Sequence, residues 1–139
     1  MGLSGFEDEE HAIQNLVRDN YSASPIVYDN TPIDDDDVRG VGYINVVILT
    51  GDSSQISLGD SPVDRHPGVI VIQSFTPENE GTRTAKARAD LIDPIFKRKE
   101  FRLGNSGLIR TRVPTVVHVG VQDGWFQSNI EIPYIRDVQ

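Results

Sequence analysis

Two copies of the triplet Gly-Asp-Ser are the first residues whose types and spacing suggest chemistry. They occupy residues 51–53 and 59–61, and several serine hydrolases share this triplet, with the serine as nucleophile. Neither copy continues as in those enzymes, because the first lacks the leucine of lipase-type blocks and the second lacks the two glycines of trypsin-like ones. The G-x-S-x-G elbow is also missing, since Gly104-Asn105-Ser106-Gly107 closes one residue early. The triplets therefore predict turns rather than a hydrolase.

An acidic run before Gly40 suggests a cation site, and it consists of Asp34, Asp35, Asp36 and Asp37. Counted from Asp35, the fifth position of a calcium loop is Arg39 and the twelfth is Val46. An EF-hand requires an oxygen ligand at the fifth position and a bidentate glutamate at the twelfth. The run therefore predicts a solvated acidic loop, with weak cation binding as the alternative.

The chain has three histidines and no cysteine. The lack of cysteine excludes disulfides, thiolate metal sites and thiol nucleophiles. No two of His11, His66 and His118 have the i, i+4 spacing of a helical metal site. We therefore expect no catalytic residue, no cofactor and no metal ligand. The remaining alternative is a small monomeric enzyme or binding module that uses the Asp-rich loop with His66 or His118.

Two features suggest contacts with proteins instead. A local basic stretch comprises Lys97, Arg98, Lys99, Arg102, Arg110 and Arg112. It is either an exposed hairpin with ordinary charges or, at Lys97, Arg98 and Lys99, a docking patch for an acidic partner. Trp125 shares its strand face with polar residues, so it is either a rim residue or an interface anchor.

The bulk composition fits one soluble domain over residues 1–139. The chain has 21 acidic and 13 basic residues, for a net charge of −8. Tight binding to nucleic acid is disfavoured, since phosphate-binding proteins usually carry positive charge. The apolar runs are too short to span a membrane, and the acidic N-terminal region does not resemble a signal peptide.

Helical spacing of apolar residues predicts one helix over residues 5–20 and a second from Pro77 to Asp93. Pro94 is predicted to end the second helix, with one more turn holding Ile95 and Phe96. Small alanines on its inner face permit close approach to a sheet. The two helices are expected to position the strands that lie between and after them.

The best predicted strands are Tyr43–Thr50 and Val69–Phe75, which are apolar on both faces, and Ile26–Tyr28 is a short edge strand. Alternation through Gln55-Ile56-Ser57-Leu58 predicts a long hairpin arm, with Ile56 and Leu58 as candidate interface residues. Phe101–Leu103 and Leu108–Arg112 are predicted to form another hairpin.

A last hairpin runs from Val113 to Tyr134 around an Asp-Gly turn. Its first arm is predicted to place four valines on one face, Val113, Val117, Val119 and Val121. Its second arm places Phe126, Ile130, Ile132 and Tyr134 on one face. The fold class is therefore α+β: a mixed, mainly antiparallel β-sheet with two α-helices on one face plus extended β-hairpins. The other face is covered by the terminal hairpins or by a neighbouring subunit, and we favour the neighbour.

Ordered short blocks along the chain also carry a resemblance. They are Gln55-Ile56-Ser57-Leu58-Gly59, Arg65-His66-Pro67-Gly68 before an apolar strand, Glu80-Gly81-Thr82 opening an alanine-rich helix through Ala89-Asp90, Ile95-Phe96, Asp123-Gly124-Trp125-Phe126 and Ile130-Glu131-Ile132-Pro133-Tyr134. In this order the chain resembles the tail terminator-like proteins of long-tailed (siphovirus) bacteriophages. The resemblance extends from the first helix to Tyr134 and leaves out the acidic run at residues 34–37.

The resemblance implies a structural protein rather than an enzyme. Such proteins form a hexameric ring that caps the tail tube, ends its polymerisation and joins the tail to the head-neck connector. The implied partners are the chain itself, the tail tube protein and the connector, with genomic DNA passing through without specific binding and no membrane. The implied location is the tail-neck junction of the virion, after assembly in the bacterial cytoplasm, and the acidic loop could face the ring lumen. Another head-tail connector or a tail-tube component is the nearest alternative.

Overall fold

The computed structural model describes residues 5–32, 40–79 and 81–139. Its elements, in chain order, are α1 (Phe6–Asn20), β1 (Ile26–Tyr28), β2 (Tyr43–Thr50), β3 (Ser54–Gln55), β4 (Asp64–Pro77), α2 (Arg83–Phe96), β5 (Glu100–Arg102), a 3₁₀ turn (Gly104–Ser106), β6 (Leu108–Thr111), β7 (Thr115–Gln122) and β8 (Trp125–Val138). The predicted α+β class is confirmed, because the described strands form one curled, mostly antiparallel sheet accompanied by two helices.

The long antiparallel pair of β4 and β8 forms the centre of the eight-stranded sheet. The two strands pair over their full 14 residues, from Asp64 opposite Val138 to Pro77 opposite Trp125. The free side of β4 pairs with β2 and β3, and the free side of β8 pairs with β6 and β7. The parallel pairing of β1 with β2 at one edge makes the sheet mixed.

The hydrophobic core lies between one face of the sheet and both helices. Alternate residues of β2, β4 and β8 point to this face because strand side chains alternate with a period of two. The fully buried core side chains from sheet and helices include Ile13, Val17, Ile44, Ile70, Ile72, Ile92, Phe96, Ile130 and Ile132. Burial of each large aliphatic side chain stabilises the fold by about 1.5–3 kcal/mol.

The boundaries of α2 differ from those predicted by the sequence. The helix begins at Arg83 rather than at Pro77, because Pro77 is the last residue of β4 and pairs with Trp125. It also continues through Pro94 to Phe96. The missing N–H of a proline normally weakens a helix, but the residues that follow, Ile95 and Phe96, are buried in the core. Their burial offsets the lost hydrogen bond, so the predicted stop at Pro94 is wrong.

The predicted valine face of the last hairpin is also wrong. The register of β7 on β8 shifts between His118 and Gly120, which is a bulge. As a result Val117 lies opposite Asn129 and Val121 lies opposite Phe126, so the two valines point to different faces. The predicted face of the second arm is correct, because Phe126, Ile130, Ile132 and Tyr134 are all buried.

The outer edge of β7 has no partner among the described strands. Its exposed apolar residues are Val116, Val119 and Val121, and Val113 is exposed just before it. An apolar open edge of this kind is a template for further contacts. Neither described helix has the length and apolarity needed to cross a lipid bilayer.

Candidate functional site

A buried charged cluster joins the first turn of α1 to the end of β8. Arg136 Nε donates to Glu9 Oε1 at 3.0 Å, and both side chains are almost fully buried. The hydroxyl of Tyr134 donates to Glu9 Oε2 at 2.9 Å, and Arg136 Nη1 donates to the carbonyl oxygen of Ser106 at 2.8 Å. The ring of Phe6 lies 5.3 Å from the Arg136 guanidinium carbon. Each contact fixes a neighbouring element, so this cluster ties α1 and the 3₁₀ turn to the sheet.

The chemistry of this cluster is structural. Burial, followed by the charge of Glu9, raises the pKa of Tyr134, so its hydroxyl remains a hydrogen-bond donor. Glu9 uses both carboxylate oxygens for Arg136 and Tyr134. Tyr134 can reach across the sheet because Gly68 lies opposite it on β4 and has no side chain in the way. No local sequence pattern predicts this contact, because Glu9 lies more than a hundred residues before Tyr134 and Arg136 in the chain.

Within the described part of the chain, Ser53 and His66 form an arrangement that suggests nucleophilic catalysis. Ser53 Oγ and His66 Nδ1 share a hydrogen bond of 2.7 Å. Burial, and then the charge of Arg136, lowers the pKa of His66, so the neutral imidazole is favoured. A serine and a neutral histidine are two of the three groups of a hydrolytic triad.

The third group of such a triad is not provided by the described residues around His66. The imidazole and the ring of Phe6 pack in a T-shaped arrangement, with the two ring centroids 5.2 Å apart. The neighbouring carboxylate of Asp137 is held by Arg65 through two hydrogen bonds of 2.8 and 2.9 Å. The Arg65 hydrogen bond also lowers the pKa of Asp137. The Ser53 hydroxyl therefore serves as a hydrogen-bond partner for the buried His66 side chain, and this contact is structural.

The two histidines considered for an Asp-rich site are far apart. His66 lies opposite Arg136 on β8, whereas His118 lies opposite Ser128. Eight residues of extended strand separate these positions, or about 26 Å. The acidic residues Asp34, Asp35, Asp36 and Asp37 lie outside the described residues. Among the residues that the structure does describe, no group of three His, Asp or Glu side chains is placed to hold a metal ion.

Trp125 lies on the sheet face opposite the helices, half-buried. Its ring makes a T-shaped contact with Tyr43, with centroids 5.6 Å apart, and Tyr43 stacks on Phe75 with centroids 4.7 Å apart. The three rings form an aromatic cluster across β2, β4 and β8. Both helices pack on the other face of the sheet, so part of this cluster is open to solvent.

Lys97, Arg98 and Lys99 form an exposed turn directly after α2. The turn is fixed by its backbone, because the Lys99 amide donates to Thr111 Oγ1 at 2.8 Å and the Lys99 carbonyl accepts from the Thr111 amide at 2.8 Å. Lys97 Nζ lies 3.8 Å from an Asp93 carboxylate oxygen. The backbone of the turn is therefore held in place, while its basic side chains extend into solvent.

Ile56 and Leu58 lie in a hairpin that projects from the sheet. We call residues 56–63 the arm. Its base is the pairing of β3 with the start of β4, and the Ile56 amide extends this ladder by donating to the Val63 carbonyl at 2.8 Å. Ile56 is exposed, and 91% of the surface of Leu58 is accessible to solvent. The predicted arm therefore exists and carries two exposed apolar side chains, Ile56 at its base and Leu58 towards its tip.

The sequence did not predict an apolar groove beside the open edge of β7. This β7 groove has a volume of about 260 Å³. Its lining residues from α2, β7 and β8 include Ala85, Lys86, Val116, His118, Phe126 and Ser128. The period-two spacing of Val116 and His118 on β7 was the only local sign of the groove. The bulge after His118 changes which side chains share a face, and the sequence does not reveal it.

Comparisons with known proteins agree with the fold. A family model described as "Phage tail terminator protein" matches residues 10–134. One similar solved protein chain has a TM-score of 0.63 and 20% sequence identity, and the match covers 91% of this chain and 95% of that chain. At this identity the solved structure supports the fold alone. No curated protein sequence matches the chain.

Proposed function

The chain belongs to the phage tail terminator family, and on that premise we propose that six copies close into a ring that caps the tail tube. It is a structural protein of a phage tail and thus a virion component. In the proposed role the ring stops addition of tube protein and presents its other side to the head-neck connector at the tail-neck junction. Assembly takes place in the cytoplasm of the bacterial host.

The observation that carries this proposal is the family match over residues 10–134, which covers all of α2, most of α1 and most of the sheet. Two surfaces support a ring. One is the sheet face that the helices leave uncovered, and the other is the open apolar edge of β7. Contacts between different surfaces of identical chains close into rings when the rotation between neighbours closes.

The net charge supports a channel through which DNA passes. A charge of −8 repels the phosphate backbone and provides little of the counterion release that stabilises protein–DNA complexes. In the proposed ring, genomic DNA therefore passes through the lumen without specific binding. The acidic residues at 34–37 would add to this repulsion if they line the lumen.

A tube-capping assay tests the proposal. The protein is added to the tail tube protein of the same phage during polymerisation, and negative-stain images record tube lengths and tube ends. We expect shorter tubes with ring-shaped density at one end, because a cap blocks further addition. Incorporation of the protein along the whole tube would instead identify a tube component.

The same assay can contradict the terminator role. Tubes with unchanged length and bare ends, at protein concentrations well above the number of ends, would exclude it. Binding to isolated connector rings without any effect on tubes would support a different neck component. A variant with α1 disrupted by Ile13→Asp, which removes a fully buried core side chain, serves as an unfolded control in the same images.

A further inference from the structure

We propose that the arm of one copy inserts into the β7 groove of the next copy. The inference rests on the proposed ring and names the surfaces that hold it together. The arm supplies the exposed apolar side chains of Ile56 and Leu58, and the groove supplies an apolar lining with Ala85, Val116 and Phe126. The contact joins two different surfaces of the same chain and is therefore heterologous.

The arm tip has little contact with its own chain. Leu58 is 91% exposed, which is unusual for a leucine in a soluble domain with a well-formed core. The arm itself is ordered by its own hydrogen bonds, because Ser57 Oγ accepts from the Val63 amide at 2.7 Å. An ordered loop with an exposed apolar tip loses little conformational entropy when it docks.

The β7 groove is apolar and only half closed. Phe126 is buried at its floor, but Val116 on its wall is 54% exposed because α2 does not extend over β7. Exposed apolar patches next to an unpaired strand edge commonly mark interaction surfaces. A branched aliphatic side chain such as Leu58 would cover the exposed part of Val116.

An arm cannot reach the groove of its own chain. The arm leaves the sheet at Asp64, while Val116 lies opposite Ile130 of β8, which in turn lies opposite Ile72 of β4. Eight residues of β4 separate Asp64 from Ile72, or about 26 Å. The arm also continues the β3–β4 ladder outward, away from the groove. The two surfaces therefore require a second copy of the chain.

Charge favours a second copy as the occupant. The arm contains Asp60 and is flanked by Asp52 and Asp64, and residues 51–64 contain no lysine or arginine. Exposed Lys86 lines the groove, and exposed Arg83 lies one turn earlier on α2. Asp123 lies in the β7–β8 turn, Glu78 directly follows β4, and Asp90 lies one turn after Lys86 on α2; none of the three lines the groove. The negative charge of the arm region thus complements Lys86 and Arg83 beside the groove, and this complementarity favours docking of the arm there.

Cysteine cross-linking tests the contact. The natural chain has no cysteine, so no native thiol can react with the reagent. Leu58→Cys and Val116→Cys are made as separate proteins, since both side chains are exposed and their loss leaves the core intact. The two proteins are mixed and treated with a short bis-maleimide reagent. We expect a cross-linked dimer in the mixture at several times the yield of either protein alone. A chain carrying both substitutions should give a ladder of products that ends at the ring size.

The control replaces Val116→Cys with Leu91→Cys, an exposed leucine on the outer side of α2 with 51% exposure. Equal yields from the control mixture and the test mixture, at the highest concentration the protein tolerates, would overturn the proposal. Strong dimer formation by Leu58→Cys alone would also overturn it, because arm-to-arm contact is isologous rather than heterologous.

The tube-capping assay separates this inference from the proposed function. Wild-type protein that caps tubes, while the paired variants do not cross-link even on the tubes, would retain the terminator role and exclude the arm contact. Protein that cross-links through the arm but leaves tubes uncapped would retain the contact and exclude the role.

Discussion

At the scale of single residues, the polar side chains in the core determine how α1 is attached. Glu9 and Arg136 are 127 positions apart in the chain and form a salt bridge of 3.0 Å away from solvent. A buried ion pair adds little stability compared with a well-packed apolar pair, but loss of one partner leaves an unpaired buried charge. The orientation of α1 therefore depends on keeping both partners together with the Tyr134 hydroxyl.

Replacement of Glu9 tests this dependence. Glu9→Ala should lower the free energy of unfolding by about 3–5 kcal/mol, because the Arg136 charge stays buried without its carboxylate. Urea denaturation followed by circular dichroism measures the change. The matched control is Glu10→Ala on the exposed side of the same turn, which should change stability by about 0.5 kcal/mol or less. Equal effects of the two substitutions would contradict the structural role of the pair.

His66 makes the stability depend on pH. Its pKa in the folded protein lies below the ordinary value of 6.5, so the folded state binds fewer protons than the unfolded state between those two pKa values. Its contribution to stability is therefore complete above pH 6.5 and is lost as the pH falls through the window below 6.5. Denaturation curves at pH 7.5 and pH 5.5 should show a smaller difference for His66→Asn than for the natural chain. An unchanged difference would show that His66 does not titrate in this window.

At the scale of elements, the sequence predicts best where burial alone decides the structure. Tyr43–Thr50 is predicted to the residue, since apolar side chains on both faces allow little but a central strand. β4 begins five residues before the predicted Val69, because Asp64–Gly68 are held in the sheet by pairing with β8 on one side and with β3 and the end of β2 on the other. Pairing with strands that are distant in the chain leaves no local sequence pattern, so the start of β4 cannot be predicted from its own residues.

The candidate surfaces were predictable to different degrees. The exposed positions of Ile56 and Leu58 follow from an apolar pair inside a polar hairpin. The β7 groove does not follow, because the bulge after His118 changes which valines share a face. Ser53 and His66 lie 13 positions apart and meet only because Ser53 lies just before β3 and His66 lies on β4. Long-range register therefore limits what the sequence reveals.

The pairing of Gly68 with Tyr134 gives a prediction at this scale. A Cβ atom at position 68 would lie 2.5 Å from the Tyr134 hydroxyl oxygen, so Gly68→Ala should displace Tyr134 from Glu9. Crowding and the lost hydrogen bond together should cost about 2–4 kcal/mol in unfolding free energy. Thermal unfolding measures this loss.

Gly51→Ala is the matched control for that experiment, because its Cβ would meet the nearest atom of Pro67 at an ordinary 3.5 Å. It should leave the melting temperature nearly unchanged. A Gly68→Ala protein as stable as this control would show that Tyr134 can move aside without loss.

At the scale of the whole molecule, the helices cover one face of the sheet, and several exposed apolar surfaces have no partner among the described residues. The open β7 edge, the arm and the aromatic cluster around Trp125 lie on different sides of the sheet. Apolar surface that stays exposed to water contributes nothing to the stability of a monomer, whereas contacts between subunits would bury it. These surfaces are the ones that the proposed ring would bury.

The basic turn after α2 gives a prediction about the assembled particle. Charge reversal at Lys97, Arg98 and Lys99 should weaken docking to tail tubes if this turn contacts an acidic partner, because three attractions become repulsions. Co-sedimentation with tubes at several salt concentrations measures the loss, which should be largest at low salt. The control is Arg18→Glu on the exposed side of α1. Unchanged capping by the triple variant would exclude the turn as a docking patch while leaving the family assignment intact.

The position of β8 also has a consequence for synthesis in the infected cell. It is the central partner of β4, yet it emerges from the ribosome after all the other described strands. Until then β4 has a bare edge over its full 14 residues, and β6 and β7 have no partner on which to align. Sheets closed by such distant segments fold slowly, and exposed edges in partly folded chains promote aggregation. The nascent chain therefore has its greatest need of chaperones just before translation of β8 is complete.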